Sequence, residues 1–525
     1  MSAMSINLWV IPWATLSIIV LGIIFIEFRT TRGLESLPHV GFRRELFSKS
    51  RAALRQIWGT SATLEDGYRQ YGSIDRPYVV PDTTLQALVM LPQKHVKWLS
   101  SQPESVLSLE AVRLERNGVK YLPTSLDPKS TLLFIDKIIG QSLSQSLDLI
   151  QPDMYDEIRH VVDATLGTDA SKWQEINLNE ALSRIIEGTG NRMLFGLSLC
   201  RNATYLLLLR VFIIFMGIST LVIGQLPPWI LRPVVGVSLS VPTFVFKKLC
   251  MSYVRPLVKR RLQTVQDSAT EKEVGSEDKS QDFVTQSIKS VKKFKNSIEG
   301  DVSTYLTEQF LILAFAGIAT TSAAATNILL DMLSASPDLN LYETLRIEAK
   351  SVLHSESDWI APASMKKLVM MDSTVRESLR KNTLQSRVLL KKAMPKDGVM
   401  LPDGTHVPRG TWLGVPVQAM QQDDNLYQNA HHYDPLRFAR MRDQISRANV
   451  AEGSGGEGKD LLDAAQPSDK YLSFSYGRSA CPWIIDRRTY PSAMPAFPRL
   501  QQQSWYEDGK RFTLMDWTQG QGYLA

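Results

Sequence analysis

Three cysteines, Cys200, Cys250 and Cys481, occur in 525 residues, an odd and sparse set that implies no disulfide framework. Cys481 stands apart by its context, Phe474-Ser475-Tyr476-Gly477-Arg478-Ser479-Ala480-Cys481-Pro482. Gly477 permits torsions and close approaches that a side chain blocks. Arg478 can pair with a carboxylate, and such a loop can aim backbone N–H groups at a sulfur. Together with a metal, those donors hold a thiolate ionised far below its usual pKa of about 8.5. The plainer alternative is a small buried hydrophobe.

A second candidate lies in the apolar run QFLILAFAGIATTSAAATNILL, residues 309–330. Its small-residue patch, Ala316, Gly317, Ile318, Ala319, Thr320 and Thr321, predicts a local bulge, because glycine weakens a helix and threonine hydroxyls turn back onto preceding carbonyls. One reading is a tight crossing of two core helices. The other is a helix over a flat cofactor, with room for a diatomic ligand and a hydroxyl to manage protons. Further on, Glu377 and Arg380 are one helical turn apart. Tyr433-Asp434-Pro435-Leu436-Arg437-Phe438 reads as a proline-led loop carrying a second arginine, and one carboxylate can accept from both guanidinium forks.

These groups need a large, mostly helical body to position them. The chain is 44% hydrophobic and 21% charged, which is a globular balance. A net charge of +6 suits an acidic partner or an anionic membrane, but the basic residues are scattered and nucleic acid is not an expected partner. Residues 8–26, LWVIPWATLSIIVLGIIFI, carry no charge and predict one membrane-spanning helix of about 28 Å. Arg29, Arg32, Arg43 and Arg44 follow it, which puts the rest of the chain on the cytoplasmic face. A cleaved signal peptide would begin with basic residues and end in a small-residue site, and this run does neither.

Residues 205–246 predict two further apolar helices that pack over a core or dip into the membrane surface, since Arg210 and several prolines oppose a second crossing. Residues 267–280 and 452–459 read as exposed connections. Strand signals are few, the clearest lying in 398–418, where Pro402-Asp403-Gly404 and Pro408-Arg409-Gly410 form turns between short extended pieces.

In this order the motifs resemble the cytochrome P-450 superfamily of haem-thiolate monooxygenases, from the anchor to about Pro482. Ala316-Gly317-Ile318-Ala319-Thr320-Thr321 is similar to the family's oxygen-side helix motif. Glu377 with Arg380, then Pro435, Arg437 and Phe438, match the next two motifs, and Phe474, Gly477 and Cys481 match the haem-loop motif. FAGIATTS and DPLRFARMR look most like the microsomal fungal branch that tailors secondary metabolites. The resemblance implies a mainly α fold with small β-sheets, preceded by one N-terminal transmembrane helix. It implies a membrane anchor in 1–29 and a haem-binding catalytic domain in 30–525.

Carried over by position, Cys481 is the axial ligand of haem b iron, and Phe474, Gly477 and Arg478 belong to the cofactor-binding loop, with Arg478 the candidate propionate partner. Ala316, Gly317 and Thr320 serve the oxygen side, and Glu377, Arg380 and Arg437 form a structural triad. The implied reaction inserts one atom of O2 into an apolar small molecule. Electrons come from NADPH through cytochrome P-450 reductase, with cytochrome b5 a further candidate donor. The implied location is the endoplasmic reticulum membrane, single-pass with a cytoplasmic catalytic domain.

Three departures bear on this reading. Ala319 replaces the acid before the threonine. No Trp-x-x-x-Arg clamp precedes Asp136, and Ser479 stands where a basic residue is common. After Pro482 the chain reads Trp483-Ile484-Ile485-Asp486, and Pro491, Pro495 and Pro498 deny that segment a long helix. Two alternatives therefore accompany the monooxygenase: an impaired product of a mis-spliced or truncated gene, and a haem-thiolate isomerase acting on a peroxide.

Overall fold

The protein is represented by a computed structural model that describes residues 27, 31–121, 134, 139–169, 175–226, 232–268, 283–291, 301–452 and 462–481. The predicted anchor at 8–26, most of both predicted connections and the segment after Cys481 lie outside the described residues, as does most of the stretch just before Asp136.

Helices dominate, and many begin where a polar side chain satisfies the first free N–H groups. The helices that position the site are α1 (Ser48–Gln70), α2 (Val96–Ser101), α3 (Leu109–Arg116), α4 (Gly140–Leu166), α5 (Leu178–Phe195), α6 (Ala203–Gln225), α7 (Arg232–Ser268), α8 (Phe283–Val291), α9 (Val302–Ser334), α10 (Leu341–Val352), α11 (Val369–Lys381), α12 (Val417–Gln421) and α13 (Arg437–Glu452). Ser108 caps α3, Asn177 caps α5 and Asn202 caps α6. Asp301 caps α9 by accepting from the N–H groups of Ser303 and Thr304, both at 3.2 Å.

The strands are β1 (Tyr78–Pro81), β2 (Ala87–Met90), β3 (Leu107–Ser108), β4 (Val388–Ala393), β5 (Val399–Met400), β6 (His406–Val407) and β7 (Trp412–Val415). Five of them make one sheet, in the order β1-β2-β7-β4-β3, and β5 pairs with β6. The β2/β7 pair is parallel, and the other pairs are antiparallel. The turns expected at Gly404 and Gly410 form, with φ of 84° and 87°, values that favour glycine. The β1–β2 hairpin escaped the sequence reading, because its strands are continuous apolar runs without alternation.

Two apolar cores flank α9. One joins Leu306, Phe310, Leu311 and Ala314 of α9 to residues of α5, α6, α7 and α8, with the Phe310 ring 5.7 to 6.2 Å from the rings of Phe134, Phe195 and Phe283. The other joins Ala324, Ile328 and Leu329 of α9 to α10, α11 and Tyr471. The predicted pair of apolar helices is α6 and α7. Arg210 does not face hydrocarbon alone, since it donates to Glu187 of α5 at 2.6 and 2.9 Å. By length and composition, three described helices are apolar enough to cross a membrane: α6, α7 and α9. Of these, α9 runs between the two cores just described.

Candidate functional site

Glu377 is the centre of the polar structure. Its carboxylate, fully buried, accepts from Arg380 Nε and Nη2 at 2.8 Å and from Arg437 Nε at 3.1 Å. It also accepts from the backbone N–H of Asp434 at 3.1 Å. The arginines spend their remaining donors on carbonyls: Arg380 on Gln421 and Ala430, Arg437 on Gln428, Asn429 and His432. One buried anion and two cations thus fasten the meandering 421–434 segment to α11. Buried charges of this kind set geometry more reliably than they add stability. Arg437 opens α13 rather than lying in a loop.

The network reaches the cysteine loop through a residue that spacing did not reveal. Gln421 donates to the Arg380 carbonyl at 3.0 Å and accepts from the Leu472 N–H at 2.7 Å. Ser473 Oγ donates to the Leu379 carbonyl at 2.9 Å. Arg376 adds a second fastening, buried over the faces of Tyr471 at 3.8 Å and Phe438 at 4.7 Å and donating to the carbonyls of Asp463 and Gln466. Beside it, burial pushes the Asp372 carboxyl up while its partner Arg442, at 2.9 Å, opposes that shift.

From Leu472 the chain turns sharply. Ser475 and Gly477 have φ of 64° and 61°, and Cys481 N–H donates to the Phe474 carbonyl at 2.9 Å, closing the loop. The positive φ at Gly477 favours glycine, and a Cβ there would stand 2.0 Å from Ser100 Oγ at the end of α2, so that hydroxyl would have to move. Cys481 is half-buried and in no disulfide. Cys200 and Cys250 are buried, and burial pushes both thiols up to about 12. Phe474 packs on the α9–α11 core.

Arg478 is exposed and forms no ion pair among the described residues. Nearby Lys391 is buried and caps the end of α2, donating to the carbonyls of Ser100 at 3.3 Å and Gln102 at 3.1 Å. Burial lowers its pKa; Glu104 opposes this and Arg478 adds to it.

On α9, Ala316, Gly317 and Ala319 are part-buried beside exposed Thr320, while Leu313, Ala314, Ile318 and Ser322 of the same helix are buried. Thr320 Oγ1 donates to the Ala316 carbonyl at 2.6 Å. The expected bulge does not form, and α9 is continuous from Val302 to Ser334. The cores clamp it on both sides of the patch, and the hydroxyl bond adds to the helical ladder rather than replacing a rung.

A further ionic group lies in the sheet. Asp82, buried in the β1–β2 turn, accepts from Arg387 and, at 3.3 Å, from Arg116. Burial alone would raise its pKa, but Arg387 and Arg116 outweigh it and hold the carboxyl well below the usual range.

A family model, Cytochrome P450, matches residues 153–482. The cytochrome P450 monooxygenase polB of Polytolypa hystricis is 64% identical over 480 residues, covering 91% of this chain and 90% of the relative. The monooxygenases efuH of Hormonema carpetanum and fsoD of Humicola fuscoatra are 36% and 35% identical, covering 86% of this chain in each case and 78% and 85% of those relatives. With its helical body, small sheets and buried Glu377 cluster, the chain belongs to the cytochrome P450 family, as an oxidoreductase of the monooxygenase type used in fungal secondary metabolism.

Proposed function

We propose that this protein is a membrane-bound haem-thiolate monooxygenase that hydroxylates an apolar small molecule, with Cys481 as the residue that would hold haem b iron. One observation carries the reading: the Glu377 cluster, through Gln421 and Ser473, ties the segment ending in Cys481 to α11 with buried polar bonds. A sulfur on such a segment is held in place before any cofactor arrives.

The residues fit the cofactor. A half-buried thiol ends a glycine-dependent loop, and part-buried small residues lie beside exposed Thr320 on α9. Cys481 would hold the iron, Phe474 and Gly477 would shape the bed of the ring, and Arg478 would meet a propionate. Haem, when bound, supplies the one-electron and O2 chemistry. As a thiolate, Cys481 would supply the electron-rich sulfur that such a cofactor needs. Gly317 and Ala316, both small residues on α9, would leave room for bound O2. The Thr320 hydroxyl donates to the Ala316 carbonyl, so its oxygen lone pairs are left to accept from water and hold a proton donor at Oγ1. Ala319 brings no carboxylate, so the proton route passes through water.

The run 8–26 serves as a single anchor in the endoplasmic reticulum membrane with the catalytic domain cytoplasmic. Exposed Leu207 and Ile214 on α6 and Val234, Val237 and Val241 on α7 support contact with the same bilayer. Cytochrome P450 reductase delivers electrons from NADPH, and cytochrome b5 is a second donor.

One observation favours an impaired product: the family match ends at residue 482, where the proline-rich departure begins. Full-length protein with reductase and NADPH under carbon monoxide separates the two. The red-shifted Soret band of a thiolate–CO adduct supports the monooxygenase. A blue-shifted band or haem-free protein supports the impaired product, and reduction by dithionite but not by NADPH refutes the electron route.

A further inference from the structure

The first turn of α1 is capped from outside the helix. Its N-cap residue, Phe47, has φ of 54° and offers no side-chain acceptor to the free N–H groups. A carboxylate from far upstream takes that place: Glu27 Oε2 accepts from the Lys49 N–H at 3.1 Å, and Oε1 accepts from the Ser50 N–H at 2.8 Å. The Lys49 ammonium donates back to the Glu27 carbonyl. An anion is favourably placed there, since the first turn is the positive end of the helix dipole. Glu27 directly follows the uncharged run 8–26, so the end of the expected anchor is bonded to the start of α1.

The body side of this joint is pinned as well. Leu34 and Leu37 are buried, the Val40 N–H donates to the Val79 carbonyl at 2.9 Å, and the Val79 N–H donates to the Pro38 carbonyl at 2.8 Å. Further along α1, Ser61 Oγ donates to Gln418 Oε1 at 3.1 Å and the Tyr68 hydroxyl donates to Asp423 at 2.8 Å. These bonds fix α1 against α12 and the residues after it. Were the Glu27 bonds broken, the next buried residue among those described is Leu34, seven positions on, and that much chain reaches roughly 24 Å.

The outer side of α1 changes character along its length. In the half near Glu27 it is apolar: Leu54 is 64% exposed, Ile57 51% and Trp58 71%, with Leu46 and Phe47 exposed just before the helix. The three helical positions fall within about 100° of one another around the axis. Arg43, Arg44 and Arg51 are exposed at the edge of this patch, although Arg51 also pairs with Glu45 at 3.2 Å. In the other half, the same side carries exposed Glu65, Asp66 and Arg69. Apolar and aromatic side chains rimmed by arginine, giving way to mixed charge with distance from the anchor, fit a helix that enters an anionic bilayer surface and leaves it again.

We propose that Glu27 is a joint clamp that locks the end of the 8–26 anchor to α1, seating the Leu54, Ile57 and Trp58 face in an anionic bilayer surface and holding the body at one angle to the membrane. The proposal rests on the reading of 8–26 as an anchor and adds the residue that sets the body's orientation.

The test uses the full chain in phosphatidylcholine vesicles with and without phosphatidylserine, the acyl chains carrying bromine either just below the headgroups or near their ends. Emission from Trp58 is isolated by subtracting a Trp58→Phe partner, because the chain has 11 tryptophans. In the parent, shallow bromine is expected to quench Trp58 more than deep bromine does, and more strongly with phosphatidylserine present. Glu27→Ala removes a cap worth about a five-fold change in the fraying equilibrium, so amide exchange over 48–52 is expected to accelerate by about that factor. The longer tether also lowers the effective concentration of the α1 face at the surface, and about half or more of the Trp58 quenching is expected to be lost. Leu54→Gln combined with Ile57→Gln tests the face apart from the clamp and is expected to lose the quenching too.

Absence of Trp58 quenching in the parent overturns the seat, and equal quenching without phosphatidylserine overturns the part given to the arginine rim. Parent-like exchange over 48–52 and parent-like quenching in Glu27→Ala overturn the clamp. Release of the parent from the vesicles by alkaline carbonate is a different result: it refutes the anchor, while Trp58 quenching before that extraction still decides whether α1 meets the bilayer.

Discussion

Replacing Glu377 by glutamine tests the polar foundation of the site. The side chain keeps its shape but loses its charge, and one of its two acceptor oxygens becomes an NH2 facing the guanidinium donors that lie at 2.8 to 3.1 Å. Arg380 and Arg437 are then buried with no counter-charge. Removing one partner of a buried ion pair costs about 3–5 kcal/mol, a large part of the roughly 5–15 kcal/mol that stabilises a domain. At about 1.4 kcal/mol per factor of ten, the folded-to-unfolded ratio falls between about 140-fold and about 3,700-fold. Urea unfolding of the full chain, followed by far-UV circular dichroism and by haem release, measures both consequences. Asp66→Asn, at the exposed Arg69–Asp66 pair, is the control and is expected to change neither. A Glu377→Gln protein that loses less than about 1 kcal/mol and retains haem refutes the claim that this carboxylate holds the 421–434 segment and, through Gln421, the 472–481 loop in place.

Gly477→Ala combines a φ of 61° with a Cβ 2.0 Å from Ser100 Oγ; the expected result is faster haem release with the far-UV spectrum unchanged, and parent-like release kinetics contradict it. Asp82 binds its proton less readily when folded than when unfolded, so its contribution is present above about pH 4 and is lost as pH falls through the lowered value. Asp82→Asn is therefore expected to lower stability at neutral pH and to flatten the acid limb below about pH 4, and parallel acid-unfolding curves for parent and variant would exclude this. Thr320→Ala removes the Oγ1 proton holder; NADPH consumption is expected to continue while more of it ends as peroxide or water, and parent-like coupling of NADPH to product removes the proposed role.

The chemistry-bearing residues were legible where covalent spacing places them together. Glu377 and Arg380 are three residues apart on one helix, and Cys481 lies seven residues after Phe474 in one closed loop. Gln421 and Arg376 were not legible. Both are common residue types whose partners are dozens of residues away, at Leu472 and Asp463, and nothing local marks them. The Asp82 cluster escaped for the same reason, since Arg387 is 305 positions from its carboxylate.

The β5–β6 hairpin was readable from its proline and glycine turns. By contrast, β1 and β2 carry only continuous apolar residues, which do not distinguish a buried strand from a piece of helix. The bulge expected in α9 does not form because a local propensity of about 1 kcal/mol is small against the two cores that hold the helix straight.

Substituting each cysteine in turn and recording the reduced carbon monoxide spectrum of the full chain is the most direct test of the thiolate assignment. Cys200→Ser and Cys250→Ser, in the interior and away from the loop, should leave the red-shifted band in place, whereas Cys481→Ser should abolish it. Persistence of that band in Cys481→Ser, or its equal loss from all three proteins, would contradict the account.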